Sequence, residues 1–209
     1  MGHGSARIFT DKTELLVDRH RFSDFICVNP CSSVFIRVPS LFKEDIMDRD
    51  QALRKELVAL LRGGNAHMGF DDAVKRFPQK QINMAMEGTT RPPDVPLTPW
   101  HLLEHMRLVQ WDILEFIRNP DHVSPDYPDG YWPAPDEQAN RAKWKKTVDS
   151  FRADLQALEE IALDTGNDLL SPIPHAKGYI LFREVILAAD HNAYHLGQFA
   201  LFRDIVGLG

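Results

Sequence analysis

The sequence predicts an all-α protein, a four-helix bundle preceded by an irregular N-terminal extension, and three observations carry that reading. Four stretches of 13 to 29 residues place apolar side chains at helical spacing. Two of the four are apolar around most of their circumference, as the middle of a bundle requires. Nowhere do strand-like and helical runs alternate in the way that would build a parallel sheet.

Residues 1–47 make up the extension. Its short apolar pieces, Phe25-Ile26-Cys27-Val28 and Ser33-Val34-Phe35-Ile36-Arg37-Val38, are interrupted by Pro30 and Pro39 and predict at most a β-hairpin. The opening Met-Gly-His-Gly-Ser reads as a tag remnant. The bundle domain is expected over 48–209. Its first helix, 50–62, carries Leu53, Leu57, Val58, Leu60 and Leu61 and stops at Gly63-Gly64. A linker follows with a short helix at 70–77, opened by Asp71-Asp72 and closed by Pro78. The run Arg91-Pro92-Pro93-Asp94-Val95-Pro96 cannot be helical.

Thr98-Pro99 then marks the start of the second helix, 99–118, with Thr98 as N-cap and Pro99 where a missing N–H costs nothing. Residues 119–135 form a long loop rich in proline and aromatics. The third helix, 136–164, is amphipathic and ends at Gly166; Pro172 and Pro174 fill the next connection. The fourth, 178–206, is strongly apolar.

Composition excludes several functions. Of 209 residues, 24 are Lys or Arg and 30 are Asp or Glu, a net charge of −6. A dedicated binder of nucleic acid or of anionic membranes would be basic. No apolar run has the length of a spanning helix, and the first residues lack the pattern of a secretory signal. The two cysteines, Cys27 and Cys31, have neither redox spacing nor a second pair, so a reduced cytoplasmic setting is expected.

Nine histidines are the unusual feature. His191 and His195 are four apart on the fourth helix, so both imidazoles leave one face and can reach one metal ion. His101 and His105 form a second pair at the same spacing on the second helix. A lone histidine on an apolar helix is ordinarily a hydrogen-bonded core residue. Two pairs on two apolar helices set polar groups in a core where a cation would satisfy several at once. His20, His122 and His175 have no visible partner in the sequence. The H-E-x-x-H motif, the Glu-x-x-His pairs of di-iron bundles, G-x-S-x-G, the P-loop and G-x-G-x-x-G are all absent.

The stretch Thr98-Pro-Trp-His-Leu-Leu-Glu-His-Met, followed by Gln110-Trp-Asp-Ile-Leu-Glu-Phe, resembles the second helix of DinB/YfiT-like proteins. Arg183-Glu followed by Asp190-His-Asn-Ala-Tyr-His-Leu-Gly-Gln198 is similar to their last helix, and the resemblance spans about 50–207. It implies a bundle with up-down-down-up connectivity and a divalent metal, nickel or zinc, on three histidines. Carried over by position, these are His105, His191 and His195. His101 falls one turn before the ligand and is expected beside it or on the substrate side.

Three neutral imidazoles leave the ion's charge uncompensated and a coordination position open, to water or to a substrate thiol. A ligating histidine usually donates its other N–H to a carboxylate or carbonyl. Asp112, Glu115 and Asp190 are candidates, although Asp190 leaves its helix about 100° away from His191. Tyr194 and Gln198 flank the ligand face, and Asn65 and His67 are candidates to close the pocket mouth.

The function expected by resemblance is thiol-dependent S-transferase chemistry, a low-molecular-weight thiol attacking a small electrophile. A metal-dependent hydrolase, or a non-catalytic metal-binding and dimerising bundle, are the alternatives. An open site separates catalysis from a structural ion. A homodimer is expected, with no nucleic-acid or membrane partner.

Overall fold

The computed structural model describes residues 25–27, 35–37, 40–86, 90–91 and 95–208. His3, His20, Cys31, Pro92 and Pro93 lie outside the described residues. The chain divides into two units, Met1–Asp50 and Gln51–Gly209.

In the first unit, β1 (Phe25–Cys27) pairs antiparallel with β2 (Phe35–Arg37), Ile26 opposite Ile36. This is the hairpin expected there. Helix α1 runs Ser40–Arg62, ten residues longer at its start than the periodicity predicts. It ends where predicted, at Gly63 and Gly64, whose φ of 64° and 83° lie in the left-handed region that glycine enters without strain.

The second unit is mostly helical. Helix α2 covers only Phe70–Val74, not 70–77, because Lys75 turns extended (ψ 124°) and Arg76 takes a φ of 56°. Strands β3 (Thr90–Arg91) and β4 (Val95–Pro96) pair antiparallel across the non-helical break. Helix α3 is Pro99–Arg118, and the Thr98 hydroxyl accepts the His101 amide at 3.1 Å as the expected N-cap.

Helix α4 is Arg141–Leu163 and starts five residues later than expected. Asn140 is its cap, taking the Lys143 amide on Oδ1 at 2.9 Å, so the residues before it stay outside the helix. Helix α5 is Leu181–Ile205. The residues expected to open it instead form strand β6 (Ala176–Ile180), paired antiparallel with β5 (Pro172–Ile173), and Gly178 at φ 92° is incompatible with a helix.

Side-chain pairs fix the helix directions. Glu104 meets Thr147 and Gln110 meets the Phe151 carbonyl, so α3 and α4 run parallel. His105 meets His195 and Gln110 meets Asn192, so α3 and α5 run antiparallel. Arg62 meets Glu159 and Arg54 meets the Ala162 carbonyl, so the 51–62 part of α1 runs antiparallel to α4.

Two apolar clusters fill the interior. One gathers Phe70, Trp100, Met106, Phe151 and Phe199; the other gathers Leu57, Leu61, Leu114, Leu158 and Val185. Each fully buried large side chain contributes roughly 1.5–3 kcal/mol. Between them Gln110 donates to the Phe151 carbonyl at 2.7 Å and accepts from the Asn192 amide at 2.8 Å, so two buried amides tie three helices. No helix among the described residues is long and apolar enough to cross a membrane.

Candidate metal centre

The cap at Thr98 sets the phase of α3. Positions 98, 101, 105 and 112 then follow one face at three-, four- and seven-residue steps. On α5 the four-residue step puts His191 and His195 on the face turned towards it. The result is a cluster of three imidazoles: His105 Nε2 lies 3.1 Å from His195 Nε2 and 3.1 Å from His191 Nε2.

Hydrogen bonds fix which ring nitrogens carry hydrogen. The Tyr131 backbone carbonyl can only accept, so His105 Nδ1–H donates to it at 2.8 Å. His195 Nδ1–H donates to Gln198 Oε1 at 2.7 Å. Both Nε2 atoms are therefore bare lone pairs facing each other at contact distance, an arrangement that repels unless something positive joins them. A proton is a poor candidate near neutral pH. Burial, with the neighbouring His195 and His105, pushes His191 down to about 3. Burial also lowers His195, against the opposing effect of the hydrogen bond it donates to Gln198.

A cation fits. His105, His191 and His195 each offer one ligand atom, all within 4.8 Å of one another, and form a cluster that can hold a metal ion. Two nitrogens 3.1 Å apart match two metal–nitrogen bonds of about 2.0–2.1 Å meeting at about 95–102°. The other described groups do not add a fourth ligand to this set.

The proline-rich loop supplies the site's roof. Trp132 stacks flat on His105, ring centroids 3.8 Å apart and planes 3° from parallel. Asp112, buried on α3, anchors the loop from below: Oδ1 receives His122 Nε2 and Oδ2 receives the Tyr131 hydroxyl, each at 2.7 Å. Burial, reinforced by this hydrogen bond and the Asp112 charge, pushes the Tyr131 phenol up to about 12. Asp112 thus reaches His105 through Tyr131, whose phenol it holds and whose carbonyl holds the imidazole. Over the three histidines opens a cavity of about 630 Å³.

The remaining sequence candidates fall as follows. Tyr194 and Gln198 line the cavity, with Tyr194 mostly exposed. His101 does not face it: Nδ1 lies 3.1 Å from the Thr98 hydroxyl and Nε2 3.2 Å from the Ala134 carbonyl, so the ring ties the cap to the loop. His67 bonds the Met68 carbonyl, and neither it nor Asn65 lines the cavity. Glu115 pairs with Arg118, and Asp190 is exposed. His122 and His175, without visible partners in the sequence, bond Asp112 and the Phe116 carbonyl. Tyr131 and Trp132 were legible only as aromatics in a long loop.

Compared with known proteins, the chain matches no family model, no curated protein and no solved structure.

Proposed function

We propose that the chain is a divalent-metal-dependent enzyme of the DinB/YfiT type, a four-helix bundle with up-down-down-up connectivity whose three histidines hold nickel or zinc. In this reading it transfers a low-molecular-weight thiol to a small electrophile. The observation that carries the metal is the pair of bare Nε2 atoms of His105 and His195 at 3.1 Å. The helix directions α1, α3, α4 and α5 support the connectivity, because α3 and α4 run together while their partners oppose them.

Catalysis, rather than a purely structural ion, is supported by the three-ligand set and the cavity beside it. A divalent ion in this position supplies Lewis acidity and makes a thiol more acidic. The chain's own residues do the rest. Tyr131 and Gln198 hold two imidazoles in the tautomer that presents Nε2. Trp132 covers one face of His105 and keeps water from it. In the reaction the thiol releases its proton to solvent water, its sulfur forms a bond to the electrophilic carbon, and the leaving group departs with the electron pair of the bond that breaks.

Metal-loaded protein is to be assayed with a panel of thiols against 1-chloro-2,4-dinitrobenzene, with His191→Ala as control. Turnover that disappears in the correctly folded variant is the expected result. Equal turnover in both proteins overturns the reading.

A further inference from the structure

We propose that the cavity above the three imidazoles takes a neutral, flat, largely apolar small molecule that meets the cation through a single donor atom. Only that last contact rests on the metal reading; the class of ligand follows from the walls.

Val109 and Ile113 from α3, Leu187 from α5, and Tyr131 and Trp132 from the loop line the cavity, whose surface is mostly apolar, with the exposed Tyr127 at its rim. A wall that carries aromatic rings favours a planar guest, which can stack against a ring. The volume of about 630 Å³ lies in the range of small-molecule sites.

Several polar groups of the wall are already engaged, while His191 Nδ1 is buried without a partner. Both Asp112 oxygens are taken, by His122 and by the Tyr131 hydroxyl. Gln198 Oε1 accepts from His195, which leaves its amide N–H as a neutral donor beside the imidazoles. The Tyr194 hydroxyl stands at an exposed rim, its residue 67% accessible. No lysine or arginine is among the described residues that line the cavity. An anionic tail would therefore give up its water with no side-chain cation to replace it, close to the Asp112 carboxylate. A cationic tail gains only the Coulomb attraction of that carboxylate, whose oxygens each already accept a hydrogen bond, and gives up its own water. A neutral ring system loses little water and covers the apolar walls.

The test uses probes of one shape that differ in charge, by calorimetry on the metal-free full chain at pH 8. 2-Naphthol is expected to bind at least about tenfold more tightly than 2-naphthoate or 2-naphthylmethylammonium. Leu187→Lys, which puts a cation on the wall, is expected to narrow the naphthol-to-naphthoate ratio by about tenfold. Naphthoate or the ammonium binding as tightly as naphthol, or naphthol failing to bind, overturns the proposal. With zinc added, isoquinoline, neutral at pH 8 and carrying one donor nitrogen, is expected to gain at least about tenfold while naphthalene gains nothing; equal gains overturn the single-donor contact. A failure of the metal reading shows up separately, as zinc binding that His105→Ala leaves unchanged while naphthol still binds.

Discussion

His105 and His195, ninety residues apart, bring their Nε2 atoms to 3.1 Å of each other with both Nδ1–H groups committed elsewhere. The packing of α3 against α5 holds two lone pairs in a contact that only a proton or a cation makes favourable. Burial lowers His191 and His195 and so disfavours the proton, and the three imidazoles form a cluster that can hold a cation.

In the metal-free protein that burial makes stability depend on pH. His191 and His195 have folded pKa values below the ordinary 6.5, His191 at about 3. The unfolded chain therefore binds more protons than the folded one at acid pH. The stabilisation is fully present above about pH 6.5 and is lost as pH falls towards the folded values, by up to about 1.4 kcal/mol per pH unit for each imidazole. Urea denaturation of metal-free wild type and His191→Leu between pH 4 and 8 checks this. A steeper acid loss in wild type is expected.

Asp112→Asn tests the support of the loop. The amide still accepts a hydrogen bond from the Tyr131 hydroxyl, but the negative charge that raises this phenol is gone. Absorbance at 295 nm is expected to show one tyrosine titrating lower than in wild type, yet still above the usual range, because burial remains the largest cause. Zinc affinity is expected to fall by about tenfold, through looser placement of the Tyr131 carbonyl on His105.

Arg54 is the buried charge that the helical pattern of α1 concealed. Only 4% exposed, it donates to the carbonyls of Ala162, Asp164 and Asn167 at 2.7–2.9 Å, capping the C-terminal end of α4 from another helix. Arg54→Ala leaves these acceptors without that donor and is expected to cost about 2–4 kcal/mol in urea denaturation. Because the site lies on α3 and α5, zinc affinity at 20 °C is expected to stay within about twofold of wild type.

What the sequence could carry was local. The four-residue spacing put His191 and His195 on one face, and Thr98-Pro99 placed the start of α3. Spacing could not separate His101 from His105, since both sit on the same face one turn apart. The difference is tertiary: His101 turns to the cap and the Ala134 carbonyl, and His105 turns to α5. The loop over 119–135 has no periodicity, so the roles of Tyr131, Trp132 and His122 depended on contacts with α3 that no local pattern encodes. The β5–β6 hairpin was hidden for the opposite reason. Its apolar residues continue the pattern of α5, and only Gly178 at φ 92° breaks it.

The central claim is that His105, His191 and His195 hold one divalent ion. Untagged protein, purified without nickel resin, loaded with zinc and dialysed, is to be measured by elemental mass spectrometry beside His105→Ala and His195→Ala. About one zinc per wild-type chain, and less than about 0.2 in each folded variant, is the predicted result. Less than about 0.2 zinc per wild-type chain, or equal zinc in all three proteins, would contradict it.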